Sequence, residues 1–311
     1  MNIDSMFFVV SAALNIPVSA IAIVGNALVF VSIARTPSLI SPSNVLLLGL
    51  AFTDFCIGLV AQPLFITWKL FQLVGTGKNI NMLASLQVYV SNFLCVASFV
   101  NITFLSVDRF LALYLHLRYK ELVTIKRTVF VLGNSWVWCA ICISSRKWLQ
   151  RYLYVLFGGA NACLAHVVNV VLYYKIYRIV RRHQHQIHCQ AQVQSNYKTA
   201  IITRLKRSFI NTFYVYLLFI ACSSPYMVMT MLRSKLPSSV FDSSLTFIYL
   251  NSCFHPLLIS WRIQGIRAAI KDTVKRAKQQ LLCRKQSHKS LNSSSVPTQE
   301  MTARKRHFRA V

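Results

Sequence analysis

An all-α membrane protein, built as a bundle of seven membrane-crossing helices, is the fold this sequence predicts, and three observations predict it. The first is composition: of 311 residues, 55% are hydrophobic and only 13% charged, with a mean hydropathy of +0.49. A water-soluble domain of this size is far less apolar, so the solvent is lipid. The second is length. Stretches 7–34, 42–68, 82–114, 127–146, 151–179, 204–232 and 239–261 each reach the ~20 residues that a helix needs to cross a hydrocarbon core of ~30 Å. The third is the placement of charge. A net +27 would suit nucleic acid if it were spread over one face. Here, with the N-terminus outside, only Lys69, Lys78, Arg146, Lys147, Arg151, Arg233 and Lys235 fall on the outer side, and every other Lys and Arg falls in the inner loops, inner helix ends and tail. That positive-inside bias puts the C-terminus in the cytoplasm, sets Arg178, Arg181 and Arg182 against anionic lipid, and excludes nucleic acid as a partner.

The elements follow in order. Residues 1–6 form a short extracellular N-terminus; Asp4 stands where a signal peptide would carry basic residues, so the first span reads as uncleaved. Residues 7–262 form the seven-helix domain, with short connections and almost nothing between the fourth and fifth helices, around Arg146–Gln150. The longest inner loop, 181–203, holds HQHQIHCQAQVQ and reads as a polar linker, since no folded frame fixes its His and Cys as metal ligands. Cys139 and Cys142 lie at i, i+3 on an apolar helix and read as buried thiols. Residues 263–282 place Ile263, Ile266, Ile270, Val274 and Leu281 at helical spacing beside Arg267, Lys271, Lys275, Arg276 and Lys278, which predicts an amphipathic helix on the inner leaflet. Cys283 after it is a candidate for lipidation, with a lone cytosolic thiol as the alternative. Residues 283–311, with Ser287, Ser290, Ser293, Ser294, Ser295, Thr298 and Thr302, predict a disordered cytoplasmic tail open to kinases.

Asp54 and Asp108 are the carboxylates near spans away from the outer ends. An ionisable group in hydrocarbon costs ~2.5 to 3.5 kcal/mol or more, which makes both functional candidates, with a structural polar knot as the plain alternative. Asp108 stands beside Arg109 at the inner end of the third span and can pair with it.

Around these residues the chain resembles the rhodopsin-like (class A) G-protein-coupled receptors over residues 15–282. The resemblance is carried by Gly25-Asn26, the run Leu50-Ala51-Phe52-Thr53-Asp54 with Pro63, Asp108-Arg109-Phe110 in place of the DRY triplet, Trp136, Tyr173 to Tyr177, Phe219 with Cys222 and Pro225, and Asn251 with His255-Pro256-Leu257-Leu258-Ile259. The phrases RYxxLVT and PLLxSWRIQ, the short second outer loop and Ala84 in place of the usual cysteine look most like the adenosine, melanocortin and cannabinoid branch. The resemblance implies a receptor at the plasma membrane that converts extracellular ligand binding into activation of a heterotrimeric G protein, with arrestin and receptor kinases as further partners of the tail.

Carried over residue by residue, the resemblance makes Asp108, Arg109, Phe110 and Tyr173 the G-protein switch. It makes Asp54, Ser98, Asn251, Ser252 and His255 the intramembrane polar pocket that holds sodium in many members. His255 replaces the usual Asn or Asp, so a hydrogen bond or ion pair with Asp54 is expected instead of a cofactor ion. Ser223 stands for the sixth-helix Trp, Ile259 for the Tyr of NPxxY and Leu205 for the acid that locks Arg109; loosened restraints of ~1 to 2 kcal/mol imply basal activity raised about five- to thirtyfold. The ligand pocket implied is Gln87, Ser91, Asn92, Cys95, Tyr226, Thr230, Leu245 and Tyr249. Ser91 stands where amine receptors keep an acid, so an amine would lack a counter-ion; the outer Lys and Arg outnumber Asp4 and Asp242 and favour a small neutral or anionic ligand, lipid-like or acidic, with anchoring of helix ends at the headgroups as the plain alternative. Two other readings stay open: a non-signalling or modulatory protein of the same fold, and a small transporter or channel. No phosphate loop, zinc pair or nucleophile with a base supports an enzyme.

Overall fold

The computed structural model describes residues 3–75, 80–115, 118–189, 196–232 and 237–294. Its long helices are α1 (Ile3–Ala34), α2 (Pro42–Cys56), α3 (Gln62–Val74), α4 (Ile80–Leu115), α6 (Ile125–Ser144), α7 (Arg151–Cys189), α8 (Asn196–Met231), α9 (Ser238–Arg262) and α10 (Gln264–Ser294), with a single turn, α5 (Tyr119–Leu122), between α4 and α6. No strand occurs among the described residues.

Helices α2 and α3 are one span broken by a π-helical turn, Ile57–Ala61. Pro63, in the first turn of α3, has no N–H and crowds the carbonyl a turn earlier, and the widened turn absorbs that misfit. The break also lets α1 approach: a Cβ on Gly58 would stand 3.1 Å from the Ser19 carbonyl oxygen, and Ser19 donates to the Gly58 carbonyl at 2.8 Å. Ser41 and Thr124 cap α2 and α6 through their side-chain oxygens.

Among the described residues, six helical spans, with α2 and α3 counted as one, are long and apolar enough to cross a membrane. The seventh, α9, packs between α1 and α8 in the same bundle. Its weaker hydropathy has a cause: Ser239, Ser244, Thr246, Asn251, Ser252 and His255 are all buried on it, facing protein and not lipid. The opposite case is α7, whose spanning window is only 6% buried and which turns Leu156, Leu164, Val167 and Val170 outward. Helix α4 runs through the middle, touching α2, α6, α7 and α8. Two large apolar clusters fill the bundle, and a small third one, Leu113 with Ile176 and Val180, joins α4 to α7. One large cluster lies toward Arg109, around Leu50, Ile102, Tyr173, Phe219 and Ile259; the other lies toward Lys69, around Phe65, Trp68, Leu94 and Tyr249.

Two boundaries differ from the sequence expectation. The supposed linker 181–203 is mostly helix: α7 continues to Cys189 and α8 begins at Asn196. Without Pro or Gly, a helix already nucleated in the membrane propagates through Gln, His and Arg at little cost. The same reason carries α10 past 282 to Ser294. Its first apolar residues, Ile266 and Ala269, are buried, while Val274, Leu281 and Leu282 are exposed. Thr273 receives the Ser32 hydroxyl at 3.1 Å and fixes α10 to α1.

Gly25 lies against Pro256: a Cβ there would be 2.7 Å from the proline Cγ. A ring carbon cannot swing aside, so Gly25→Val is expected to cost about 1–3 kcal/mol by overpacking and to lower the melting temperature of the purified protein, whereas Gly133→Val, with nothing within 4 Å of its Cβ, leaves it nearly unchanged.

Candidate functional site

Three polar constellations lie along the axis of the bundle. The central one is built on Asp54 of α2, which is fully buried. Its Oδ1 accepts from the Ser252 hydroxyl at 2.8 Å and from Ser98 at 3.3 Å, and its Oδ2 lies 2.7 Å from His255 Nδ1. Asn26 of α1 joins from the side, donating to the Ser252 carbonyl at 2.8 Å. Of the sequence-expected set, Asp54, Ser98, Ser252 and His255 are thus brought together. Asn251 is buried nearby on α9, but its side-chain oxygen has no hydrogen-bond partner. His255 Nε2 and both amide atoms of Asn101 are also buried without partners. Among the described residues no group of three His, Cys, Asp or Glu is placed to hold a metal.

The second constellation is at the Arg109 end. Asp108 accepts from Tyr119 of α5 at 2.5 Å and from Ser43 of α2 at 2.6 Å, while the Arg109 guanidinium stands off at 3.8 Å. The resting pair expected from adjacency is therefore loose, and two neutral donors hold the acid. Burial, and then the carboxylate beside it, push the Tyr119 phenol up to about 12. Because the folded-state value is raised, this hydrogen bond contributes fully below the unfolded value of ~10 and is lost only as pH climbs through about 12, so it is constant across physiological pH. Arg109 lines a cavity of about 520 Å³ with Leu105, Asn211, Val215, Ile259 and Arg262, and its Nε has no partner. Phe110 stacks on Tyr114 and lies under Lys175.

Tyr173, expected to work with Arg109, bonds elsewhere: its hydroxyl meets Ser106 at 2.8 Å and donates to the Thr212 carbonyl at 3.2 Å, inside an aromatic group with Phe209, Phe213 and Tyr216. Ile259 is simply core. Ser223 donates back to the Phe219 carbonyl, and Phe219 stacks on Phe99 at 4.6 Å. The Leu205 side chain lies outside the described residues. A different clasp, which sequence reasoning missed, joins α8 to α9: Arg262 Nε donates to the Asn211 side-chain oxygen at 3.1 Å, with the guanidinium 4.8 Å from the Tyr214 ring.

The third constellation surrounds a cavity of about 790 Å³ at the Lys69 end. Of the ligand-pocket residues named from sequence, Gln87, Ser91, Asn92, Tyr226 and Leu245 line it. Tyr249 is wholly buried beneath, bonded to Ser91 at 2.8 Å and to Gln87 at 3.0 Å. Cys95 packs against the apolar cluster there and is not on the wall. The Thr230 side chain lies outside the described residues. Missed were Trp68, Arg146, Tyr154, Phe241 and Asp242, all on the lining. Most consequential is Lys69, counted from sequence as an outer cation: its side chain is fully buried, 2.7 Å from Asp242 Oδ2, 3.0 Å from Gln72, and 4.0 and 4.4 Å from the Trp68 and Phe8 rings. The available signal was a lone Lys and a lone Asp on two apolar helices at one end of the bundle.

Compared with known proteins, residues 25–145 match the model of the 7 transmembrane receptor (rhodopsin family). Similar curated proteins include human trace amine-associated receptor 5, 26% identical over 282 residues, covering 82% of this chain and 81% of the relative. Chicken melatonin receptor type 1A is 24% identical over 280 residues, covering 81% and 76%. Over these stretches the chain is similar to the rhodopsin family of seven-transmembrane receptors. The matches support a G-protein-coupled receptor, a multi-pass membrane protein that signals and does not catalyse. The named relatives are trace-amine and melatonin receptors, so they do not carry the finer expectation of an adenosine, melanocortin or cannabinoid branch.

Removing one partner of a buried ion pair strands the other charge. Asp242→Ala is expected to destabilise the receptor by ~3–5 kcal/mol, and Lys69→Met with Asp242→Leu together to recover most of that loss, read as the melting temperature in a lipid nanodisc.

Proposed function

We propose that this receptor faces the cell exterior with its Lys69 end, binds a small neutral or anionic ligand in the 790 Å³ cavity, and passes the signal to a heterotrimeric G protein that docks at Arg109. The carrying observation is Arg109 itself. It lies at the wall of a cavity at one end of the bundle, held by Asp108 only at 3.8 Å and with a donor free. A cation so weakly restrained is ready to meet an incoming helix terminus, whose carbonyls carry negative partial charge. The excess of Lys and Arg at that end supports its cytoplasmic placement.

The basic, partly exposed α10 suits an inner-leaflet surface. The Ser and Thr residues at its C-terminal end and beyond it suit kinases and then arrestin, and exposed Cys283 suits lipidation. An amine is disfavoured as ligand even though two relatives are named for trace amines, because Ser91 offers a hydroxyl bonded to Tyr249 where a counter-ion is needed. The Arg109→Ala variant at matched surface expression is expected to lose agonist-independent nucleotide exchange on its cognate G protein. Silence of the wild type and the variant alike would favour the non-signalling reading.

The same proposal assigns the central site to His255 and not to sodium. Both Asp54 oxygens are already engaged, one of them by a ring nitrogen, and a ring N–H cannot ligate a cation. His255→Asn supplies an oxygen ligand and is expected to create sodium sensitivity of signalling, measured as exchange in sodium against matched N-methylglucamine buffer; an unchanged response would sink the assignment.

A further inference from the structure

Among the described residues, the cavity at the Lys69 end has two charged residues on its lining, Asp242 and Arg146, and their situations differ. Asp242 is already neutralised. Its partner Lys69 is fully buried, caged by the rings of Trp68 and Phe8 and held by Gln72, so an ammonium entering the cavity would have to compete for the same acid with a lysine that cannot leave. Arg146 makes no ion pair among the described residues. Its guanidinium lies 5.5 Å from the centre of the Tyr89 ring, a cation–π contact that uses none of its N–H donors. The uncompensated charge of the cavity is therefore positive.

A second observation comes from Gln87. Its side chain is fully buried, and its Nε2 donates to Ser91 at 3.1 Å and to Tyr249 at 3.0 Å. Those two bonds fix the amide and leave Oε1 buried without a partner. An orphaned buried acceptor on a cavity wall calls for a donor from the occupant. The remaining wall is largely apolar, with Trp68, Val88, Leu149, Val155, Phe241 and Leu245.

We propose that the ligand is an amphipathic carboxylate that also carries a hydroxyl or amide N–H. Arg146 binds the carboxylate, Gln87 Oε1 accepts the hydroxyl or amide hydrogen, and the apolar body packs on Trp68, Phe241 and Leu245. This inference rests on the reading of the cavity as the ligand site. It adds a chemical class and two residues that divide the recognition, one for charge and one for the donor. A guanidinium offers a carboxylate two parallel N–H bonds, which is why the anion is taken to be a carboxylate and not a halide or a neutral carbonyl.

Four probes of one size separate the terms: phenyllactate carries carboxylate and hydroxyl, phenylpropanoate carboxylate alone, methyl phenyllactate hydroxyl alone, and phenethylamine the opposite charge. Binding is read as the rise in melting temperature of the full-length receptor in nanodiscs, titrated to millimolar probe. Phenyllactate is expected to stabilise the wild type most, phenylpropanoate less, and the ester and amine not at all. Arg146→Gln is expected to weaken phenyllactate roughly tenfold or more, Arg146→Lys to retain part of that binding, and Gln87→Leu to erase the preference for phenyllactate over phenylpropanoate. Stabilisation by phenethylamine, acid binding indifferent to Arg146→Gln, or no shift with either acid overturns the proposal. G-protein exchange through Arg109 is measured separately on the same preparations. A receptor that signals but binds neither acid loses only the ligand class, and one that binds phenyllactate through Arg146 but never drives exchange loses only the coupling.

Discussion

Everything in this bundle is arranged around a buried carboxylate. In lipid, apolar side chains gain nothing by leaving one hydrocarbon surface for another, so helices associate through close packing and through polar groups that would otherwise be stranded. Asp54 is the most demanding of these groups. Ser98 brings α4 to it and Ser252 and His255 bring α9, while Asn26 ties α1 to the same turn of α9. Four segments thus converge at one depth. Gly25 beside Asn26 has no side chain because Pro256, next to His255, occupies that space.

Above and below this centre the two ends are built differently. At the Lys69 end a strong ion pair inside an aromatic cage joins α3 to α9 and closes one side of a large cavity. At the Arg109 end the acid is shared by neutral donors, the arginine is loosely held, and α8 meets α9 through a side-chain amide and a guanidinium. A bundle that is pinned in its middle and weakly clasped at one end can move that end without unmaking its core, which suits a two-state transducer.

Much of this was legible in the chain. Asp54 stood out because a carboxylate in hydrocarbon is expensive, and His255 followed as its partner through the resemblance, in which it replaces the usual Asn or Asp of the same polar pocket. The seventh helix was legible despite weak hydropathy, since 239–261 is long enough to span. Lys69 was not. A lysine at a helix end reads as a headgroup anchor, and nothing local says that Asp242, far along the chain, comes within 2.7 Å. The continuation of α7 to Cys189 was missed because polarity was taken for irregularity, although none of those residues breaks a helix.

By itself the sequence determined the spans, their order and the few polar positions inside them, because hydropathy and helical period are properties of neighbouring residues. Which polar groups become partners was decided only by the tertiary structure. Asp108 and Arg109 show why. Consecutive residues on a helix do not face each other, so the acid turned to Ser43 and Tyr119, brought to it by α2 and α5, and the arginine was left at the mouth of its cavity.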